Sequence, residues 1–154
     1  MNADFIKSAI ITNLGHKGNA ICDEVGLPIL KEWGTDFFAD VMEIKKNDTV
    51  VIYEVKSSIR DFQTDKKWEN YLNHCHLFYF VGDEETIDHI KESTPKWVGL
   101  YVIHKCGYMQ NIRRSRNTKL SIDSIATRGE LYKKIQYRYL KFWGKIKTEK
   151  KETE

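Results

Sequence analysis

Long apolar runs, paired cysteines and proline are all scarce in this chain of 154 residues. No apolar run approaches the roughly 18 to 20 residues of a membrane span, so we expect no membrane partner. The first residues, MNADFIKSAI, lack a basic start followed by an apolar stretch, so a signal peptide is not expected. The three cysteines are odd in number and widely spaced, which favours reduced thiols and a cytoplasmic location.

Motifs for nucleotide cofactors and for serine hydrolases are also missing from the sequence. The chain contains no G-x-x-x-x-G-K-[ST] loop, no G-x-G-x-x-G loop and no G-x-S-x-G elbow. Histidine and cysteine side chains at positions 74–76, 104 and 106 would suit zinc by ligand type. Their H-C-H and H-x-C spacings match no established zinc site, so we interpret them as core thiols and ordinary histidines.

An uneven distribution of charge is the first positive signal. Residues 1–103 hold 11 Lys/Arg against 17 Asp/Glu, a balance of −6, whereas residues 104–154 hold 14 against 5, a balance of +9. A basic C-terminal third on a nearly neutral protein indicates a surface that binds a polyanion. The candidates for nucleic-acid contacts within that third are Arg113, Arg114, Arg116 and Lys119.

The apolar pattern predicts an α/β fold in which helices flank a mixed sheet. Strands are expected at 36–44, 49–56, 77–81, 98–106 and 109–112, and the first two form a β-hairpin around the Asn47-Asp48 turn. Helices are expected at 3–14, 19–25, 61–75, 83–93 and 124–143. Residues 121–154 are predicted to form a basic helix and tail that pack on the domain of residues 1–120.

The clearest predicted strand carries charged side chains in an apolar setting. Alternation places Glu54 and Lys56 on one face, where burial is costly unless the two have partners. Asp40, on the preceding strand of the hairpin, can bring a second carboxylate beside Glu54. Two carboxylates with a nearby main-chain carbonyl, such as that of Val55, suit Mg²⁺ or Mn²⁺, and the lysine can orient or deprotonate a water or stabilise charge on a phosphate. The alternative is an edge strand whose Glu–Lys pair faces solvent.

These residues resemble a known nuclease pattern. Asp40, followed after 13 residues by Glu54-Val55-Lys56, resembles the PD-(D/E)XK nuclease superfamily. The segments ADVMEI (39–44), EVKSSIRDFQTDKKWENYLNHC (54–75) and LFYFV (77–81) are similar to the MmcB-like DNA-repair endonucleases. The similarity covers roughly residues 5–115, and Ala39 departs from the superfamily pattern where a proline would stand.

The resemblance implies a restriction-endonuclease-like core and metal-dependent hydrolysis of DNA. Asp40 and Glu54 would be metal ligands, and Lys56 would be the catalytic lysine. Many superfamily members carry a further acid on the first helix, and here Glu24 or Glu32 would serve. Candidates for phosphate contacts at the end of the strand and on the following helix are Ser57, Ser58 and Lys67.

Two functions agree with this interpretation of the sequence. The first is an Mg²⁺- or Mn²⁺-dependent nuclease that hydrolyses phosphodiester bonds of DNA, with RNA as an alternative substrate, in DNA repair or in the processing of phage or mobile-element DNA. The second is a nucleic-acid-binding module that keeps the nuclease fold without catalysis. A homodimer and a monomer are both compatible with the sequence.

Overall fold

The computed structural model describes residues 1–27, 37–116 and 124–152. Within these ranges the chain forms six strands and five α-helices. The strands are β1 (Ala20–Gly26), β2 (Phe38–Ile44), β3 (Val50–Val55), β4 (Leu77–Gly82), β5 (Gly99–Ile103) and β6 (Met109–Arg113). The helices are α1 (Ala3–Gly15), α2 (Ile59–Thr64), α3 (Trp68–Tyr71), α4 (Glu84–Ser93) and α5 (Ser124–Glu152), and a 3₁₀ turn follows α3 at Leu72–His74.

All six strands form one mixed sheet, in which their order follows the chain. β2 is antiparallel to both β1 and β3, β4 is parallel to β3 and to β5, and β6 pairs antiparallel with β5. In the β2–β3 turn, Asp48 has a φ of 65° and the side-chain oxygen of Asn47 accepts a hydrogen bond from Thr49 N–H at 3.2 Å. The structure therefore confirms the predicted mixed α/β architecture and the predicted hairpin.

Helices cover both faces of the sheet. On one face, the fully buried Ile6 and Ile10 of α1 pack with Val51 and Val81. On the other face, α2, α3, α4 and the start of α5 pack over a centre that includes Phe78 and Phe80. Because both faces are covered, β3 and β4 are nearly continuous apolar runs, and a charged side chain within them is buried.

Residues 19–25, predicted as a helix, form strand β1. Ile21 and Val25 are β-branched, and Val25 is fully buried against the sheet. Antiparallel pairing with β2 supplies hydrogen-bond partners to the main chain of this segment. The helix prediction was wrong because seven residues hold too few turns for apolar periodicity to separate a helix from a strand.

Residues 61–75, predicted as one helix, form two short helices and a 3₁₀ turn. The break lies at Asp65, whose Oδ1 accepts hydrogen bonds from the N–H groups of Lys67 at 2.7 Å and Trp68 at 3.2 Å. An aspartate that bonds the main chain just ahead of it competes with helix continuation. The second oxygen of Asp65 faces the sheet, so the break in the helix belongs to the candidate site.

The long helix α5 starts on the domain body. Thr127 and Leu131 are buried, and Arg138 Nη2 donates a hydrogen bond to the carbonyl of Asp23 at 3.1 Å. The predicted boundary at residue 120 falls outside the described residues, and the division into two units stays a prediction. Within the described ranges, no helix combines the length and apolar character that crossing a membrane requires.

Candidate active site

Three carboxylates lie on adjacent strands of the sheet: Glu24 on β1, Asp40 on β2 and Glu54 on β3. The β2–β3 pairing ends with Val41 opposite Tyr53. Asp40 precedes Val41 on β2 and Glu54 follows Tyr53 on β3, so the two carboxylates occupy the next opposite positions. Glu24 lies where the β1–β2 register omits one pair, opposite the position of Asp40. The strand pairing therefore places the two predicted ligands and the predicted additional acid at neighbouring positions of the sheet.

Asp40 is held by the main chain of the neighbouring strand. Its Oδ2 accepts a hydrogen bond from Val55 N–H at 2.8 Å, and its Oδ1 lies 4.0 Å from the Nζ of Lys7. Burial raises the pKa of Asp40, while the bond from Val55 and the charge of Lys7 act in the opposite direction. One carboxylate oxygen, Oδ1, therefore remains for a further ligand.

Glu54 is a buried carboxylate with one unsatisfied oxygen. Its Oε1 accepts from Lys56 Nζ at 3.2 Å, whereas its buried Oε2 has no hydrogen-bond partner among the residues that the structure describes. Burial and then the negative charge of Asp40 raise the pKa of Glu54 well above its usual value, although Lys56 acts against them. A buried carboxylate oxygen without a partner is costly, so this position suits a cation.

Lys56 lies buried between two carboxylates. Its Nζ is 3.2 Å from Glu54 Oε1, 2.7 Å from Asp65 Oδ2 and 5.9 Å from the centre of the Phe80 ring. Burial alone would lower the pKa of Lys56, but Glu54 and Asp65 outweigh it and the net shift is upward. The side chain is therefore held as an ammonium, which favours charge stabilisation over deprotonation of water.

Asp65 is one of two residues at this site, with Lys7, that were not predicted from the sequence. Its side chain is only 9% exposed, and it connects the segment after α2 to Lys56, the residue that follows β3. The sequence offers only weak evidence that Asp65 belongs to the site. The spacing of Asp65 and Trp68 places them on a shared face only if the segment continues as a helix. The aspartate instead ends α2 and reaches the sheet from the resulting bend.

The residues present fit a hard divalent cation held by few protein ligands. Within the described ranges, no three His, Cys, Asp or Glu side chains converge on a point where a metal ion could bind. Mg²⁺ commonly binds through one or two carboxylates together with waters and substrate phosphates. Asp40 and Glu54, with the Val55 carbonyl as the predicted third donor, meet that requirement. The zinc alternative at positions 74–76, 104 and 106 gains no support from this part of the chain.

The serines after β3 are engaged in local structure. Ser57 donates hydrogen bonds from N–H and Oγ to Asp61 Oδ2 at 3.0 and 3.3 Å, and Ser58 Oγ accepts from Asp61 N–H at 3.1 Å. Ser58 is thereby the N-cap of α2. Lys67 is exposed, with its Nζ 5.8 Å from the centre of the Phe37 ring. Of these three candidates, Lys67 alone presents a cation at the surface.

A basic groove of about 650 Å³ lies at the β6 edge of the sheet. Its lining residues are Lys91, Glu92, Thr94, Lys96, Arg113, Arg114 and Arg116. Arg113 is fixed within the groove, because Nε donates to the Val98 carbonyl at 2.7 Å and Nη2 donates to Thr94 Oγ1 at 2.7 Å. Arg114 and Arg116 are exposed.

Lys91 and Lys96 were not predicted from the sequence, because they belong to the part of the chain whose overall charge is negative. Only the fold brings these two lysines beside the arginines that follow β6. Two other predicted site residues, Glu32 and Lys119, lie outside the described residues.

Two comparisons with known proteins give a match. The sequence profile of the family described as "DNA repair protein MmcB-like" matches residues 6–136. A solved structure of a protein of unknown function from Silicibacter pomeroyi has a similar fold, with a TM-score of 0.72 and 22% sequence identity, over 90% of this chain and 89% of that chain. No curated protein matches the sequence.

Proposed function

This chain belongs to the MmcB-like family of DNA repair proteins, and we propose that it is an Mg²⁺- or Mn²⁺-dependent nuclease that hydrolyses DNA phosphodiester bonds in DNA repair. The family match confirms the similarity to MmcB-like sequences. Membership of the PD-(D/E)XK superfamily and a restriction-endonuclease-like core are part of the proposal. The observation that carries it is a buried Glu54 oxygen without a partner among the described residues, on a carboxylate that lies close to Asp40 and Lys56.

Each residue of this cluster has a defined task in the proposed reaction. Asp40 and Glu54 would hold the ion, which when bound supplies Lewis-acid polarisation of the scissile phosphate. Lys56, fixed by Glu54 and Asp65, donates hydrogen bonds to a phosphate oxygen or orients the attacking water. A charge fixed before the reaction stabilises the transition state without the cost of reorganisation.

A cleavage assay with linear, nicked, branched and single-stranded DNA, run with and without Mg²⁺ or Mn²⁺, tests this function. We expect cleavage of at least one substrate with either ion and none in EDTA. Calorimetric titration with Mn²⁺ should show uptake by the wild-type protein. Asp40→Asn and Glu54→Gln should each lose both cleavage and Mn²⁺ uptake, because each removes one of two protein carboxylate ligands.

Glu69→Gln is the matched control for Glu54→Gln, since Glu69 is an exposed carboxylate on α3. It should cleave DNA and take up Mn²⁺ as the wild type does. Wild-type protein that takes up no divalent ion, even with DNA present, would contradict the catalytic proposal.

A nucleic-acid-binding module without catalysis is the second candidate. The observation that favours it is the small number of protein ligands, because no three candidate side chains converge within the described part of the chain. The experiment above separates the two functions. A module binds DNA with similar affinity in EDTA and in Mg²⁺, and it leaves every substrate intact.

The basic groove is the proposed binding surface for the DNA backbone. Three strand spacings, roughly 14 Å, separate Arg113 in the groove from Glu54. The paired residues that connect them across the sheet are Arg113 on β6, Leu100 on β5, Phe80 on β4 and Glu54 on β3. A second cavity, of about 850 Å³, is lined by four carboxylates at residues 83–85 and 88 and would repel phosphate. Among the described cavities, the basic groove therefore suits a polyanion.

Neutralising the four exposed cations of the groove should weaken DNA binding for unrelated sequences alike. The variant replaces Lys91, Lys96, Arg114 and Arg116 by Gln. Each cation that contacts a phosphate contributes about 0.9 to the slope of log K against log salt, so we expect a slope smaller by up to about 4 when all four contact phosphates. Arg113 stays unchanged, because its hydrogen bonds support the groove.

The matched control removes the same net charge elsewhere, by replacing Lys17, Lys45, Lys46 and Lys66 with Gln. These lysines are exposed and distant in sequence from the groove. The control should keep most of the wild-type salt slope. An equal reduction of the slope in the two variants would mean that net charge, and not the groove, determines binding.

A further inference from the structure

Lys7 places an ammonium beside the carboxylates of the candidate site. Its Nζ forms a hydrogen-bonded ion pair with Glu24 and lies 4.0 Å from Asp40 Oδ1. The side chain is only 15% exposed. Its neighbours on α1, Ile6 and Ile10, are fully buried against the sheet. The helix therefore fixes the ammonium at this position.

The backbone at Glu24 supports a specific role for this ion pair. Glu24 has a φ of 50°, in the left-handed region that non-glycine residues seldom adopt. Such a conformation is strained and persists where the surrounding structure enforces it. Here it coincides with the skipped β1–β2 pair and with the bond from Glu24 to Lys7.

The charged groups that contact one another directly at the site carry an excess of negative charge that one divalent ion would offset. Four carboxylates, on Glu24, Asp40, Glu54 and Asp65, face two ammonium groups, on Lys7 and Lys56. With all six groups ionised, the net charge is −2. Lys7 pairs with Glu24, and Lys56 pairs with Asp65, which leaves Asp40 and Glu54 as the pair that lacks full compensation.

We propose that Lys7 is a resident cation of this site, which occupies the place between Glu24 and Asp40 where a second divalent ion would otherwise bind. The site then takes one divalent ion, held by Asp40 and Glu54. Glu24 is a partner of Lys7 and not a metal ligand. This inference rests on the proposed metal-dependent function, and it makes Lys7 a residue that determines metal stoichiometry.

Calorimetric titration with Mn²⁺ alone tests the inference. Wild-type protein should bind one ion per chain. Lys7→Met should bind two, because Glu24 and Asp40 lose their ammonium and become available to a second ion. The double variant Lys7→Met/Glu24→Gln should return to one ion, since the second site loses a ligand. Lys7→Gln, which keeps a hydrogen-bond donor to Glu24, provides a second neutral variant should Lys7→Met fail to fold.

The outcomes distinguish this inference from the proposed function. One ion in the wild type and one in a folded Lys7→Met or Lys7→Gln protein would overturn the inference and leave the nuclease proposal standing. Two ions in the wild type would also overturn it. A wild type that binds no Mn²⁺ would overturn the proposed function and the inference together.

Discussion

Lys56→Gln should lower the rate of DNA cleavage by about 10² to 10³-fold, the usual cost of losing one preorganised donor in an active site. The lysine is held as an ammonium between Glu54 and Asp65, at 3.2 and 2.7 Å. Glutamine removes the positive charge, and its shorter side chain no longer holds a donor at the position of Nζ. Mn²⁺ uptake should persist, because both proposed ligands remain. Single-turnover cleavage and calorimetric titration measure the two effects separately.

Lys66→Gln is the control for Lys56→Gln, because Lys66 is exposed and lies in the segment that follows α2. It should cleave DNA at the wild-type rate.

Asp65→Asn tests the positioning of Lys56. It should move the alkaline limb of the pH–rate profile to lower pH, because the charge of Asp65 helps to raise the pKa of Lys56. Wild-type cleavage by Lys56→Gln would show that Lys56 is a structural cation.

Trp68→Ala should lower the free energy of unfolding by about 3 kcal/mol, the lower end of the range for removing a core aromatic side chain. The Trp68 ring lies 5.6 Å from Phe78, 5.3 Å from Phe80 and 6.5 Å from Trp97, measured between ring centres. The lower end applies because Trp68 is partly exposed. A shift in the urea midpoint, at constant slope, measures the decrease in stability.

Two further variants serve as controls for Trp68→Ala. Trp68→Phe should recover much of the stability, since it keeps an aromatic ring against the sheet. Tyr137→Ala should leave the midpoint unchanged, because Tyr137 is 63% exposed on α5. A near-silent Trp68→Ala would contradict the packing role and would favour a role for the ring in stacking on a nucleic-acid base.

The sequence by itself determined most of the strands and the family. β-branched and aromatic runs are strong local signals, so the hairpin of β2 and β3 and the buried strand β4 follow from residue type alone. The alternation of the predicted strand at 49–56 also placed Glu54 and Lys56 on one face, and the hairpin turn placed Asp40 near them. These conclusions depend on a period of two residues and one short turn, both of which are local properties.

Only the tertiary structure decided the conformation of short segments and the partners of charged groups. Strand β1 exists because β2 is available to pair with it, and a sequence-based prediction for so short a segment cannot include that partner. Asp65 meets Lys56 because the chain bends between α2 and α3, and that bend depends on hydrogen bonds to the main chain. Neither the β1–β2 pairing nor the contact between Asp65 and Lys56 produces a periodic pattern in the sequence.

At two places in the molecule, the role of a charged residue also depends on the tertiary structure. Composition indicated a basic C-terminal third, but the fold assigns Arg113 to structural hydrogen bonds and adds Lys91 and Lys96 to the groove. In the same way, Lys7 looks like an ordinary lysine of an amphipathic helix until α1 packs beside Glu24 and Asp40. The sequence determines which charges exist and indicates most of the strands, whereas the meeting of charges from distant segments depends on packing, because burial and distance set their interaction.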